Sequence, residues 1–111
     1  MLILGIDPGT ATTGYGLIKF ANKKLEVVEW GLIETDKNGS PGKRLEYIHL
    51  EMTNVLKKFQ PDIVAIEKLF FATNAKTAMA VGQAQGVMIF TASKLNKEVI
   101  EYAPGTIKKL V

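Results

Sequence analysis

Apolar residues fill Leu2 to Ile6, with only Gly5 among them, and stop at Asp7-Pro8-Gly9. That is how a strand covered on both faces reads where it meets a loop, and it sets Asp7 at the strand's carboxyl end. Gly14 to Phe20 predicts a second strand, and a turn at Ala21-Asn22-Lys23-Lys24 leads into a third, from Leu25 to about Thr35. From Asp36 to Gly42 the chain is rich in Gly, Asn, Ser and Pro, which predicts a loop; Ser40 caps the next helix and Pro41 is its first residue. Leu45, Ile48, Met52, Val55, Leu56 and Phe59 then recur at helical spacing until Gln60-Pro61. Asp62 to Glu67 repeats the design of the first strand, an apolar run closed by an acid. Because it follows a helix, it is expected to lie parallel in a crossover unit. Asn74 is expected to cap a long helix, Ala75 to Leu95, apolar over most of its circumference, with Ala78, Gly82 and Gly86 spaced for close helix approach. Glu98 to Tyr102 alternates as a short strand, and Pro104 opens a helical pattern that Ile107, Leu110 and Val111 only begin.

These elements predict an α/β fold in which a mixed five-stranded sheet, a three-strand antiparallel meander plus parallel strands, is flanked by helices. Residues 1–111 are expected to form one domain, of ordinary globular composition with 47% hydrophobic and 23% charged residues. A two-turn helix is marginal without tertiary support. The last periodic pattern is therefore expected to continue in a longer protein, leaving this domain truncated before its last helix and incomplete at the carboxyl end.

Composition narrows the chemistry. There is no cysteine and one histidine, which excludes disulfides, thiolate-zinc sites and histidine-rich metal centres, so any metal must take oxygen ligands. His49 is expected on the polar surface of its helix with no catalytic task. Met52, Met79 and Met88 are expected to fill the core. Lys76, Gln83 and Gln85 interrupt the stretch from Ala75 to Ser93, which reads as a buried helix rather than a membrane span. No basic leader precedes the first strand, an expectation of a cytoplasmic protein. A net charge of +3 suits a polyanionic partner without identifying one.

With the first and fourth strands parallel neighbours, Asp7 and Glu67 emerge at one sheet edge, where open α/β sheets bind ligands. At ~4 Å and an effective dielectric of ~20 their repulsion is about 4 kcal/mol, so the pair calls for a cation or a strongly raised pKa. Magnesium meets the need, because it binds through one or two carboxylates together with substrate phosphates. A loop boundary also favours acids, and either residue alone is equally consistent with that. The glycine turn and returning strand in Gly5-Ile6-Asp7-Pro8-Gly9-Thr10 and Gly14-Tyr15-Gly16 add a hairpin able to approach a phosphate.

Gly5-Ile6-Asp7-Pro8-Gly9, Ala65-Ile66-Glu67, Phe70-Phe71-Ala72-Thr73-Asn74-Ala75, Gly82-Gln83-Ala84-Gln85-Gly86 and Glu101-Tyr102-Ala103-Pro104, in this order, resemble the RuvC-type Holliday-junction resolvases over the whole chain. The resemblance implies an RNase H-like fold, a homodimer, and paired magnesium-dependent hydrolysis of phosphodiesters at four-way DNA junctions in recombination and repair. It implies two Mg2+ ions per complete site, with Mn2+ able to substitute, and as partners junction DNA and a branch-migration helicase complex of the RuvA-RuvB type. Asp7 and Glu67 match two of four catalytic, metal-binding acids. The other two belong to a later helix, so the 111-residue chain is expected to be inactive alone.

For DNA binding the expected residues are Phe70, whose ring would stack on unpaired bases, and Lys76, Lys108 and Lys109, which would neutralise phosphates; Lys108 matches a basic position of the family. Phe71 is expected in the core, and Lys23, Lys24, Lys57 and Lys58 on a solvated face. Part of the Ala75 helix is expected to form the dimer interface. Two other readings stay open. Asp7-Pro8-Gly9-Thr10 loosely fits an actin-like or sugar-kinase-like ATPase domain, though no second nucleotide motif accompanies it, and a non-cleaving junction-binding relative would share the fold.

Overall fold

The computed structural model describes residues 1–9, 11–35, 39–67 and 75–102. Along the chain run β1 (Leu2–Asp7), β2 (Thr12–Ala21), β3 (Lys24–Glu34), α1 (Pro41–Phe59), β4 (Ile63–Glu67), α2 (Ala75–Lys94) and β5 (Glu98–Tyr102). One sheet holds all five strands in the order β3-β2-β1-β4-β5. The pairs β1–β2 and β2–β3 are antiparallel, while β1–β4 and β4–β5 are parallel. The expected meander and its parallel extension are both present. β2 starts earlier than its glycines suggested because Thr12 and Thr13 already pair with Glu34 and Ile33.

Local chemistry sets the element ends. Asn22 and Lys23 both have positive φ, 53° and 62°, between the paired residues Ala21 and Lys24, which makes a two-residue type I′ hairpin. The Ser40 side chain accepts a hydrogen bond from the Lys43 amide at 3.3 Å, capping α1 as expected with Pro41 in the first turn. Gln60, left-handed at φ 48°, closes α1 with its amide donating to the Leu56 carbonyl, and Pro61 prevents continuation. Asn96, at φ 60°, ends α2 in a Schellman arrangement: the Lys97 amide donates to Ala92 O and the Asn96 amide to Ser93 O, both at 2.9 Å.

Both helices lie on one face of the sheet. Ile48, Met52, Val55 and Leu56 of α1, with Ala84, Met88 and Ala92 of α2, pack against Leu4, Ile6, Leu17, Val64 and Ile66. Leu56 is fully buried, and truncating it to Ala would cost on the order of 2–5 kcal/mol. Strand alternation puts Ile3, Gly5 and Asp7, and likewise Ile63, Ala65 and Glu67, on the opposite face. That second face also carries Trp30 opposite Gly16 and Leu32 opposite Gly14, with Trp30 69% exposed.

Three expectations change. Met52 and Met88 are core, but Met79 stands out from α2, 66% exposed. Gly86 meets no other element within the chain, since a Cβ there would contact nothing, and it is Ala84 and Ala92 that supply the small residues in the core. His49 is half-buried and reaches α2: its Nδ1 lies 2.7 Å from Thr91 Oγ1. No helix among the described residues is long and apolar enough to cross a membrane.

Candidate metal and nucleic-acid site

Asp7 and Glu67 each stand one residue beyond the paired Ile6 and Ile66 of neighbouring parallel strands. By alternation both belong to the face opposite the helices, on strands separated by ~4.8 Å. Both are half-buried. The sequence-predicted acids are therefore brought together at the carboxyl edge of the sheet. Their oxygen donors and spacing fit a hard divalent cation, which needs one or two protein carboxylates with phosphate and water completing the shell. Among the described residues no third ligating side chain joins them.

The backbone around the acids is firmly held. After Asp7 and Pro8 the chain turns so tightly that a Cβ at Gly9 would overlap the Thr12 carbonyl oxygen, so only glycine fits. Ala11 O accepts from the Thr35 amide at 2.8 Å and from Thr35 Oγ1 at 3.1 Å, which ties the hairpin to the end of β3. At its other end β1 is tied to β4, the Leu2 amide donating to Asp62 Oδ2 at 2.8 Å and the Asp62 amide to Leu2 O at 2.8 Å. On β4 the Glu67 carbonyl accepts from Gln85 Nε2 at 3.1 Å. Sequence reasoning gave Gln85 no role. A glutamine beside Ala84 and one turn before Met88, in a helix that is apolar nearly all round, was the available signal.

Lys76, exposed in the first turn of α2, lines a cleft of about 350 Å³ together with Ala11, Arg44, Ala80 and Gln83. Arg44 Nη1 approaches the Ala80 carbonyl at 3.5 Å, which places the guanidinium on the α1–α2 junction. Two cations thus border the cleft beside the hairpin that follows Asp7. Arg44 went unnoticed in the sequence because a single arginine in a helix's first turn carries no pattern. Phe70, Phe71, Lys108, Lys109, the Asn74 cap and the helix from Pro104 lie outside the described residues.

Tyr15, on the helix-bearing face, has its phenol pKa raised from the ordinary 10.0, first by burial and then by the negative charges of Glu29 and Glu51.

A mixed sheet in the order β3-β2-β1-β4-β5, with both helices packed on one face, is an RNase H-like fold. Residues 3–111 match the family described as Crossover junction endodeoxyribonuclease RuvC. The RuvC of Alkaliphilus metalliredigens is 44% identical over 111 residues, covering 100% of this chain and 68% of the relative. That of Natranaerobius thermophilus is 46% identical over 109 residues, covering 98% and 68%. The structure "T. thermophilus RuvC in complex with Holliday junction substrate" superposes with a TM-score of 0.87 at 28% identity, covering 98% of this chain and 70% of that one. The chain belongs to the RuvC family of crossover junction endodeoxyribonucleases, metal-dependent hydrolases, and spans about two thirds of the length of these relatives.

Proposed function

We propose that this chain is the amino-terminal nuclease portion of a Holliday-junction resolvase in which Asp7 and Glu67 are metal-binding catalytic acids. The observation that carries the reading is their placement: two carboxylates on adjacent parallel strands, same face, one step past Ile6 and Ile66. Residues 1–111 form one RNase H-like domain, incomplete at the carboxyl end, acting in the cytoplasm. Mg2+, two ions per complete site, is the cofactor, with Mn2+ able to substitute; when bound it would activate water and stabilise the leaving oxygen of an in-line displacement. The chain's own residues do the rest. Asp7 and Glu67 supply fixed negative oxygen donors, and the rigid Gly9 hairpin holds Asp7 in place. Lys76, with Arg44 across the cleft, neutralises a backbone phosphate of the junction. Phe70 stacks on unpaired bases, and Lys108 and Lys109 add phosphate contacts. The protein works as a homodimer presenting two sites to a four-way junction, with a RuvA-RuvB-type branch-migration complex as partner.

The test is junction cleavage by the full-length protein in Mg2+, before and after Asp7→Asn and Glu67→Gln. Each substitution is expected to remove cleavage, by 100-fold or more on the scale of ~3 kcal/mol of lost transition-state stabilisation, while leaving junction binding in chelator intact. Cleavage retained by either variant would overturn the assignment. The 111-residue chain alone is expected to cleave nothing, and measurable Mg2+-dependent nicking by it would refute the need for further acids.

A further inference from the structure

Gln85 is one of three buried polar residues among the described core, at 9% exposure, with Thr13 and Thr91. It sits on α2 beside Ala84 and one turn before Met88, both fully buried. Its side-chain amide crosses from the helix to the sheet and donates to the carbonyl of Glu67 at 3.1 Å. That carbonyl lies one residue past the end of the β1–β4 pairing. The β1–β4 register ends at Ile6 and Ile66, and Glu67 has only Tyr102 of β5 as its register partner. A strand's last residue, paired on one side, is the place where a backbone frays or rotates most easily. A rotation there swings the carboxylate, because Cα carries both groups. Burying an amide in an apolar face costs free energy unless it is hydrogen-bonded, so this contact is held on both sides: the helix anchors Gln85 and the Glu67 carbonyl satisfies it.

We infer that Gln85 is a positioning residue, which fixes the backbone of Glu67 and thereby the direction in which its carboxylate faces Asp7. The inference rests on the proposed reading of Glu67 as a metal ligand. A carboxylate that must meet a divalent ion within a few tenths of an ångström gains affinity from being held before the ion arrives. Neither the core nor the sheet needs an amide at this point, since the other buried residues of α2 are Ala84, Met88, Thr91 and Ala92.

The experiment uses the full-length protein and Gln85→Met, which keeps length and burial but removes the donor. Mn2+ binding is followed by electron paramagnetic resonance without DNA, Mg2+ half-saturation by junction cleavage, junction Kd in chelator, and Tm by scanning calorimetry. Expected are a Mn2+ Kd and a Mg2+ half-saturation each raised about tenfold, cleavage approaching the wild-type rate at saturating Mg2+, and a junction Kd within twofold. Unchanged metal affinity, with or without a lower Tm, overturns the inference. So does a Gln85→Met protein that does not fold, because Gln85 would then be a core residue and nothing more. Glu67→Gln is measured alongside. If it binds Mn2+ and cleaves as the wild type does, the reading of Glu67 fails; if it loses both while Gln85→Met is unaffected, only the role of Gln85 fails.

Discussion

The imidazole Nδ1 of His49 on α1 lies 2.7 Å from Thr91 Oγ1 on α2, and Thr91 Oγ1 donates to Val87 O, also at 2.7 Å. A hydroxyl has a single proton. With that proton committed to Val87, Thr91 accepts, and His49 carries its proton on Nδ1. Thr91→Val, nearly isosteric, leaves this half-buried donor facing a methyl group and is expected to destabilise by about 1 kcal/mol or more. Thr91→Ser keeps the hydroxyl and loses one buried methyl, costing about 1 kcal/mol. Urea unfolding of the two variants checks the order. Equal losses would mean that the methyl matters and the bond does not.

Tyr15 lies across Gly31, its register partner on β3, so closely that a Cβ on Gly31 would overlap the phenol oxygen and its ring carbon. Gly31→Ala is therefore expected to force the ring aside at a cost of roughly 1–3 kcal/mol. Tyr15→Leu combined with Gly31→Ala should recover part of that loss, a coupling visible in a double-mutant cycle. Additive losses would show that the ring moves freely.

The raised pKa of Tyr15 gives stability a direction with pH. The folded protein holds the phenol neutral above the pH at which the unfolded chain begins to ionise near 10.0. Its contribution is complete below that value and is lost as pH rises through the folded pKa, because the unfolded state gives up its proton first. Urea midpoints measured from about pH 9 to 11 should fall more steeply for the wild type than for Tyr15→Phe. Parallel profiles would remove Tyr15 as the cause.

Much of this was legible in the sequence for a physical reason. Strands β1 and β4 lie inside the sheet, with Leu4, Ile6, Val64 and Ile66 buried under the helices and Gly5 and Ala65 buried on the other face, so they read as apolar runs, and their ends were marked by Asp7 and Glu67. Register parity then follows from topology, which made the shared sheet edge predictable once β1 and β4 were placed side by side. What stayed hidden depends on contacts between distant segments. His49 looked like surface because nothing nearby in sequence shows Thr91 coming within reach of its ring. Met79 looked like core because α2 is apolar nearly all round, so periodicity could not tell the face against the sheet from the outer one. Gln85 looked like an interruption of that helix, since its partner is a backbone carbonyl and carries no sequence signal.

The outer face of α2 offers the last test. Met79, Gln83, Gly86 and Phe90 recur at steps of three and four and are all exposed. Met79 and Phe90, at 66% and 61%, are large apolar groups in water, while Ala84, Met88 and Ala92 bury the inner face. Gly86 between them offers open space in which a partner helix could come close. If this stripe joins two copies of the full-length protein, Met79→Lys with Phe90→Ser should weaken the dimer, on the order of 2 kcal/mol per side chain and thus roughly 30-fold in Kd for each. Sedimentation equilibrium reads the shift. The isolated fold should hardly change, since neither side chain is buried within one chain, and circular dichroism melting at monomer concentrations separates the two effects. A dimer of unaltered affinity would place the interface elsewhere, and would also remove the simplest route by which two copies of the Asp7–Glu67 edge could face one junction.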